Sequence, residues 1–258
     1  MKPRAVKKCL VRQPAGLGDI LYCKKLLKPF IEEGYEVIWP VNPFYFNDVN
    51  NYIEHSGILF FDETGSFPLK EHFTTLESSD CGTFTMLDLD DGDIYIPFQY
   101  ADREMRGEAC MKAKSRIVGV SEGYGDWSED IVLQRDHEKE QTLYYDVLNL
   151  TDDDNYTLVH NTFGCPAPPW ESYLKPFSIP QDEESPVVQV QIYSGFSLFD
   201  WCKVIENASR IYSVDTSLVF LVDLLDVKAT DLQLYSRHTP ANYLHVDDLF
   251  KSKWKYNY

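Results

Sequence analysis

Residues 210–226 read RIYSVDTSLVFLVDLLD. Ile211 to Val214 is a short strand, Asp215-Thr216-Ser217 a sharp polar turn, and the segment that follows a helix that is apolar almost all round. Such a helix has to be buried. Its first turn carries backbone N–H groups without intrahelical partners and the positive end of the helix dipole, a combination that suits a phosphate. The hydroxyls of Thr216 and Ser217 add donors at the same place. Asp215 or Thr216 can also serve as the N-cap of a core helix and nothing more. Strand, turn and helix alone favour the N-cap reading.

A second stretch, residues 10–41, reads LVRQPAGLGDILYCKKLLKPFIEEGYEVIWPV and repeats the order strand, glycine turn, helix, strand. The first strand runs from Val6 to Arg12. In the helix, Ile20, Cys23, Leu27, Phe30 and Ile31 share one side and Lys24, Lys25 and Lys28 the other. Pro29 should kink this helix or end it early, and Gly34 is placed to cap it. Tyr35 to Val41 is the second strand. Alternation of this kind continues with a helix around Phe44 to Glu54 and a strand from Ile58 to Phe61, the pattern of a parallel sheet with helices on both faces.

Together the two blocks resemble the heptosyltransferase-like glycosyltransferases (family 9) of the GT-B superfold. In that family a first-strand Arg leads into a G-x-G-D-type turn, and a late D-T-G or D-T-S turn opens a buried helix. The matching residues here are Arg12, Gly16, Gly18 and Asp19, then Asp215, Thr216 and Ser217. The resemblance implies an α/β, GT-B-like protein with two Rossmann-like domains facing a central cleft. It implies transfer of a sugar from a nucleotide-sugar donor to the hydroxyl of a glycan, glycolipid or glycoprotein acceptor, inverting and metal-independent. The nucleotide-sugar is then a substrate, and no cofactor is expected. Asp19 matches the general base that takes the acceptor's proton; the Asp215 turn matches the donor-binding turn. The chain departs from the family in its shorter length, in Ser217 where Gly is commoner, and in Phe220-Leu221 where His-Leu-Ala is usual. A sugar-nucleotide epimerase or hydrolase, or a non-catalytic nucleotide- or carbohydrate-binding relative, is the alternative.

At 258 residues the chain makes one large domain or two small ones. Its net charge of -17 argues against nucleic acid or an anionic membrane as a partner held by general electrostatics. An anionic donor has to be held by local dipoles and a few well-placed cations. No apolar run is long enough to span a bilayer, and no signal peptide is expected. The six cysteines include no C-x-x-C pair; Cys9, Cys23 and Cys202 fall on apolar faces, which points to a reduced, cytoplasmic setting.

A composition shift marks a linker or hinge helix at 121–155; the resemblance then implies an N-terminal Rossmann-like acceptor domain at 1–120 and a C-terminal Rossmann-like donor-binding domain at 156–258. The first domain is expected to end with two strands around an acidic turn (Thr83 to Phe98), a helix from Ala101 to Lys114 and a short strand at Ile117 to Val120. Ser128 to Leu150 is expected to be largely helical. In the second, strands are expected at Tyr156 to His160, Val187 to Tyr193, Ile211 to Val214 and, last, Asp231 to Tyr235. Ser197 and Asp200 form a capping box for a helix with Leu198, Trp201, Cys202 and Ile205 on its inner face. The tail KSKWKYNY is expected to pack back across the first domain.

Other motifs carry paired readings. Gly16-Leu17-Gly18-Asp19 is not the dinucleotide fingerprint, because Leu21 stands where the third glycine belongs. Asp19 is a general base by the resemblance, or else a first-turn carboxylate favoured by the dipole. His160 and Asn161, at a strand end, contact the donor or serve structure. Arg12 binds phosphate or acceptor, or pairs with a carboxylate. Arg237 can approach the nucleotide. Asp88-Leu89-Asp90-Asp91 contains a D-x-D pattern, but Gly92 and the flanking alternation favour an acidic hairpin turn over a metal site.

Overall fold

The computed structural model describes residues 6–14, 16–76, 86–100, 110–120, 126–162, 185–235 and 249–257. The chain divides between Gln134 and Arg135 into two units. Of the stretch 121–155, residues up to Gln134 go with the first unit and those from Arg135 with the second.

In the first unit β1 (Lys8–Val11), β2 (Glu36–Val41), β3 (Ile58–Asp62), β4 (Leu87–Asp88) and β5 (Ile94–Ile96) form one sheet in the order β3-β2-β1-β5-β4. All are parallel except the edge strand β4, which pairs antiparallel with β5. Strands buried on both faces need continuous apolar runs, and Cys9-Leu10-Val11 and Val37-Ile38-Trp39 supply them without solvent exposure. α1 (Leu17–Leu26) gives way to α2 (Lys28–Glu32) at Leu27, just before Pro29, whose missing N–H breaks the ladder. α3 (Pro43–Tyr52) is capped by the Asn42 side chain, and α4 (Lys70–Thr75) follows β3. Asp90–Gly92 is the tight turn of the β4–β5 hairpin, closed by Leu89 N–H donating to Asp93 O at 2.8 Å.

Ile117 to Val120 is not a strand. α5 (Cys110–Ile117) runs through Ile117, and Val120 N–H folds back on Ser115 O at 3.0 Å, as at a helix end. Residues 101–109 of the expected helix, and 83–85 of the expected hairpin, lie outside the described residues. The lysine side of α1 is not simply solvated. Lys25 is buried and bonds Glu129 Oε2 at 2.9 Å, while Lys24 reaches Asp130 O at 2.6 Å. These contacts hold the 3-10 turn Trp127–Asp130 against α1.

In the second unit α6 (His137–Gln141) continues into a π-helical turn, Thr142–Val147. The sheet contains β6 (Thr157–His160), β7 (Val187–Gln189), β8 (Arg210–Val214), β9 (Asp231–Tyr235) and β10 (Lys255–Asn257), in the order β10-β9-β8-β6-β7. Every pairing in it is parallel. The capping box at Ser197 and Asp200 is formed, and Trp201, Cys202 and Ile205 are buried at the start of α7 (Cys202–Asn207). α8 (Ser217–Leu224) is enclosed from Leu218 through Asp223, as its apolar sequence requires.

The tail corrects the sequence reading. β10 lies parallel to β9 in the second unit's own sheet, so β9 is not the last strand. Asp223 on α8 explains the attachment, because it accepts the backbone N–H groups of Lys251 at 3.0 Å and Ser252 at 2.7 Å. Phe250 packs edge-on against Phe220 at 5.1 Å. β7 is also shorter than expected. It stops at Gln189, and Ile192 beyond it is 85% exposed.

Candidate functional sites at the two switch points

In a doubly wound sheet the ligand site lies outside the carboxyl ends of the strands, where the winding reverses direction. In the second unit that point falls between β6 and β8, its first and third strands, and β7 flanks β6 on the other side. β6 ends at His160, in register with Ser213 of β8. Two residues past β8 stands Thr216, the N-cap position of α8.

Thr216 Oγ1 lies 2.9 Å from His160 Nδ1, so two of the sequence-predicted residues meet across the switch point. The hydroxyl is thereby turned away from the helix, and no side-chain hydrogen bond caps α8. Burial pushes the His160 imidazolium down to about 4 from its ordinary value, so the ring is neutral at pH 7. A neutral ring that takes the Thr216 proton at Nδ1 carries its own N–H at Nε2. Asp215, Thr216 and Ser217 are all half-buried, and Asp215 N–H donates to Tyr235 O at 3.2 Å. Asn161 is exposed, and its Oδ1 accepts from Gln189 Nε2 at 2.9 Å, linking the ends of β6 and β7. Arg237 lies outside the described residues.

In the first unit the reversal falls between β1 and β5. Arg12 N–H donates to Ile96 O at 2.9 Å and Gln99 N–H to Arg12 O at 2.8 Å, so the two strand ends stay paired beyond β1. Gly16 turns the chain into α1 with φ of 82°, a region open to glycine, and a Cβ there would collide with Asp19 Oδ2. Gly18 is buried in the first turn of α1. The Arg12 guanidinium donates to Phe73 O at the last turn of α4 and lies over the Phe73 ring, 4.5 Å from its centre.

Asp19 forms an ion pair through Oδ1 with Lys114 of α5. Sequence reasoning missed Lys114. The segment CMKAKSRI carries Lys112, Lys114 and Arg116, and no local pattern separates one cation from the others. Only the packing of α5 against α1 selects it. Asp88, Asp90 and Asp91 are exposed on the hairpin turn, and among the described residues no group of three or more His, Cys, Asp or Glu is arranged to hold a metal ion.

Neither a protein-family model nor a curated protein matches the chain. Among solved structures it is similar to a glycosyl transferase family 9 protein from Veillonella parvula DSM 2008. The TM-score is 0.52 and the identity 11%, over 98% of this chain and 87% of that one. The chain has a GT-B-like α/β fold, similar to that of this solved structure. It is also similar to the iron-containing dodecameric glycosyltransferase TibC of enterotoxigenic E. coli H10407, with a TM-score of 0.45 and 10% identity over 94% of this chain. It spans 61% of TibC's length. Within the GT-B-like fold, the two sequence blocks that suggested it occupy the switch points of the two sheets. No helix among the described residues is long and apolar enough to cross a membrane.

Proposed function

We propose that the protein is a cytoplasmic glycosyltransferase that moves a sugar from a nucleotide-sugar donor to an acceptor hydroxyl, with inversion and without a metal. The observation that carries this reading is the His160–Thr216 hydrogen bond, because it leaves the first turn of α8 without a side-chain cap at the switch point of the second sheet. A strand-end helix N-terminus with hydroxyls beside it suits a diphosphate. In this reading the Ser217 hydroxyl and the first backbone N–H groups of α8, with Thr216 contributing through its backbone, receive the diphosphate. Asp215, His160, Asn161 and Arg237 border the nucleotide, and His160 serves as a neutral donor through Nε2.

Asp19 is the general base, and Arg12, Gly16 and Gly18 form the acceptor side. The acceptor oxygen attacks the anomeric carbon, its proton passes to Asp19, and the bond from that carbon to the phosphate oxygen breaks with its electron pair leaving on the diphosphate. One displacement inverts the configuration. Positive ends of fixed dipoles take up the charge that develops on the leaving group.

The experiment is a thermal-shift screen of the full chain against UDP, GDP, ADP, CDP and TDP, followed by mass spectrometry of reactions with the matching sugar nucleotides and a pool of saccharide acceptors. A ligand at about a hundred times its dissociation constant adds about 2.7 kcal/mol to the native state. Stabilisation by one diphosphate, with a glycosylated acceptor, supports the reading. Free sugar formed without acceptor identifies a hydrolase, and binding without turnover a non-catalytic relative.

A further inference from the structure

Lys114 is almost wholly buried, with 2% of its side chain exposed, whereas Asp19 beside it is 30% exposed. A buried ammonium needs partners, and Asp19 is one that stands at the mouth of a switch point. Tyr22 OH and Ser115 Oγ, 3.2 Å apart, tie α1 to α5 one residue along, and Ala113 and Ile117 pack alongside. The ammonium is therefore held in place by two helices.

The two oxygens of Asp19 are not equivalent. Oδ1 meets Lys114. Oδ2 leans over Gly16, in the space a Cβ would fill, and no described residue donates to it. A buried ion pair replaced by an apolar side chain of similar shape often loses no stability, so stability alone gives little reason for a lysine at this position. A base, by contrast, has to be held to within a fraction of an ångström of its working geometry.

We propose that Lys114 is the positioning residue of the first site: it grips Asp19 through Oδ1 and so presents Oδ2 to the hydroxyl whose proton the carboxylate accepts. This rests on the reading of Asp19 as the general base. The proton passes from the acceptor hydroxyl to Oδ2 while the Oδ1 contact keeps the side chain in one orientation. Gly16 contributes by leaving room for Oδ2.

The test is a double-mutant cycle of Asp19→Asn and Lys114→Met on the full chain. Turnover is read as nucleoside diphosphate released from UDP-, GDP- and ADP-hexoses in the presence of pooled saccharide acceptors. A [15N]lysine spectrum of the wild type and of Asp19→Asn accompanies it. The account expects a solvent-protected Lys114 ammonium signal that disappears in Asp19→Asn. Lys114→Met should lower kcat at least about tenfold while acceptor KM stays within about twofold, since misplacing a base weakens chemistry more than binding. The double variant should be no slower than Asp19→Asn alone. If Asp19→Asn is inactive but Lys114→Met keeps wild-type kcat, the positioning role is wrong and the function stands. A double variant far slower than either single variant also overturns it, because Lys114 then acts by a route other than Asp19. If Asp19→Asn itself turns over normally, the reading of the site fails and the proposal falls with it.

Discussion

Thr216 Oγ1 sits 2.9 Å from His160 Nδ1, and this bond joins the end of one strand to the start of a helix that follows another. The ring is half-buried and its protonation is disfavoured by desolvation, to about 4 against an ordinary 6.5. The sign of the linkage follows. The unfolded chain takes up a proton as pH falls below about 6.5 while the folded ring resists until about 4, so stability declines across that window and levels off below it. The full shift corresponds to about 3 kcal/mol, an upper bound because the ring is not wholly enclosed. Urea midpoints at pH 7 and pH 4.5 should therefore fall further for the wild type than for His160→Gln. Equal declines would show that His160 does not titrate in this way.

The Asp19–Lys114 pair makes a stability prediction separate from catalysis. Asp19→Asn removes the charge that the buried Lys114 ammonium meets at Oδ1 and should be destabilising. Lys114→Met leaves only a carboxylate that water can reach and should cost much less. The double variant Asp19→Asn with Lys114→Met should recover most of the loss from Asp19→Asn. Thermal denaturation of the four proteins checks this, and additive losses would contradict the buried pairing.

Asp223 anchors the C-terminal segment through two backbone N–H groups. Asp223→Ala should destabilise the second unit by about 2–3 kcal/mol, since it strips an ionised acceptor from two partly buried donors. Hydrogen exchange at residues 250–257 should accelerate before exchange in β6 and β8 does. Unchanged protection there would mean that β10 is held by the sheet alone.

The parallel sheets, the break at Pro29 and the capping box at Ser197 were legible in sequence because each has a local cause: an apolar run, a missing N–H, a pair of side chains three apart. The tail was not. Lys255–Asn257 carries no strand signature of its own, and its place depends on Asp223 and Phe220, more than thirty residues earlier in the chain. Ile117 to Val120 carries β-branched Ile117, Val118 and Val120, which suit a strand, yet packing of α5 against α1 carries the helix through Ile117. The same packing brings Lys114 to Asp19, a contact between residues 95 positions apart that no spacing rule contains. His160 and Thr216 were each suspected singly; their bond required the β6–β8 register.

The acidic hairpin should be dispensable. Asp88, Asp90 and Asp91 are exposed, and the hairpin closes through backbone bonds and Asp93, which accepts Lys8 N–H at 2.7 Å. Asp88→Asn with Asp90→Asn should leave transfer within about twofold of wild type, and excess chelator should not stop it, because in the proposed mechanism fixed dipoles rather than a cation stabilise the leaving diphosphate. Inhibition by chelator with recovery in manganese would move the chemistry to this turn.

The central claim is that the first turn of α8 receives the diphosphate, and Ser217→Glu tests it most directly. A carboxylate in the first turn of a helix is favourable for the helix itself, so the second unit should fold as before. The same charge would lie against a bound phosphate. Isothermal titration of wild type and Ser217→Glu with the nucleoside diphosphate that stabilises the wild type most is the decisive measurement. The account predicts a drop in affinity of at least about a hundredfold, close to 2.7 kcal/mol, with an unchanged circular-dichroism spectrum. Equal affinity in the folded variant would contradict it.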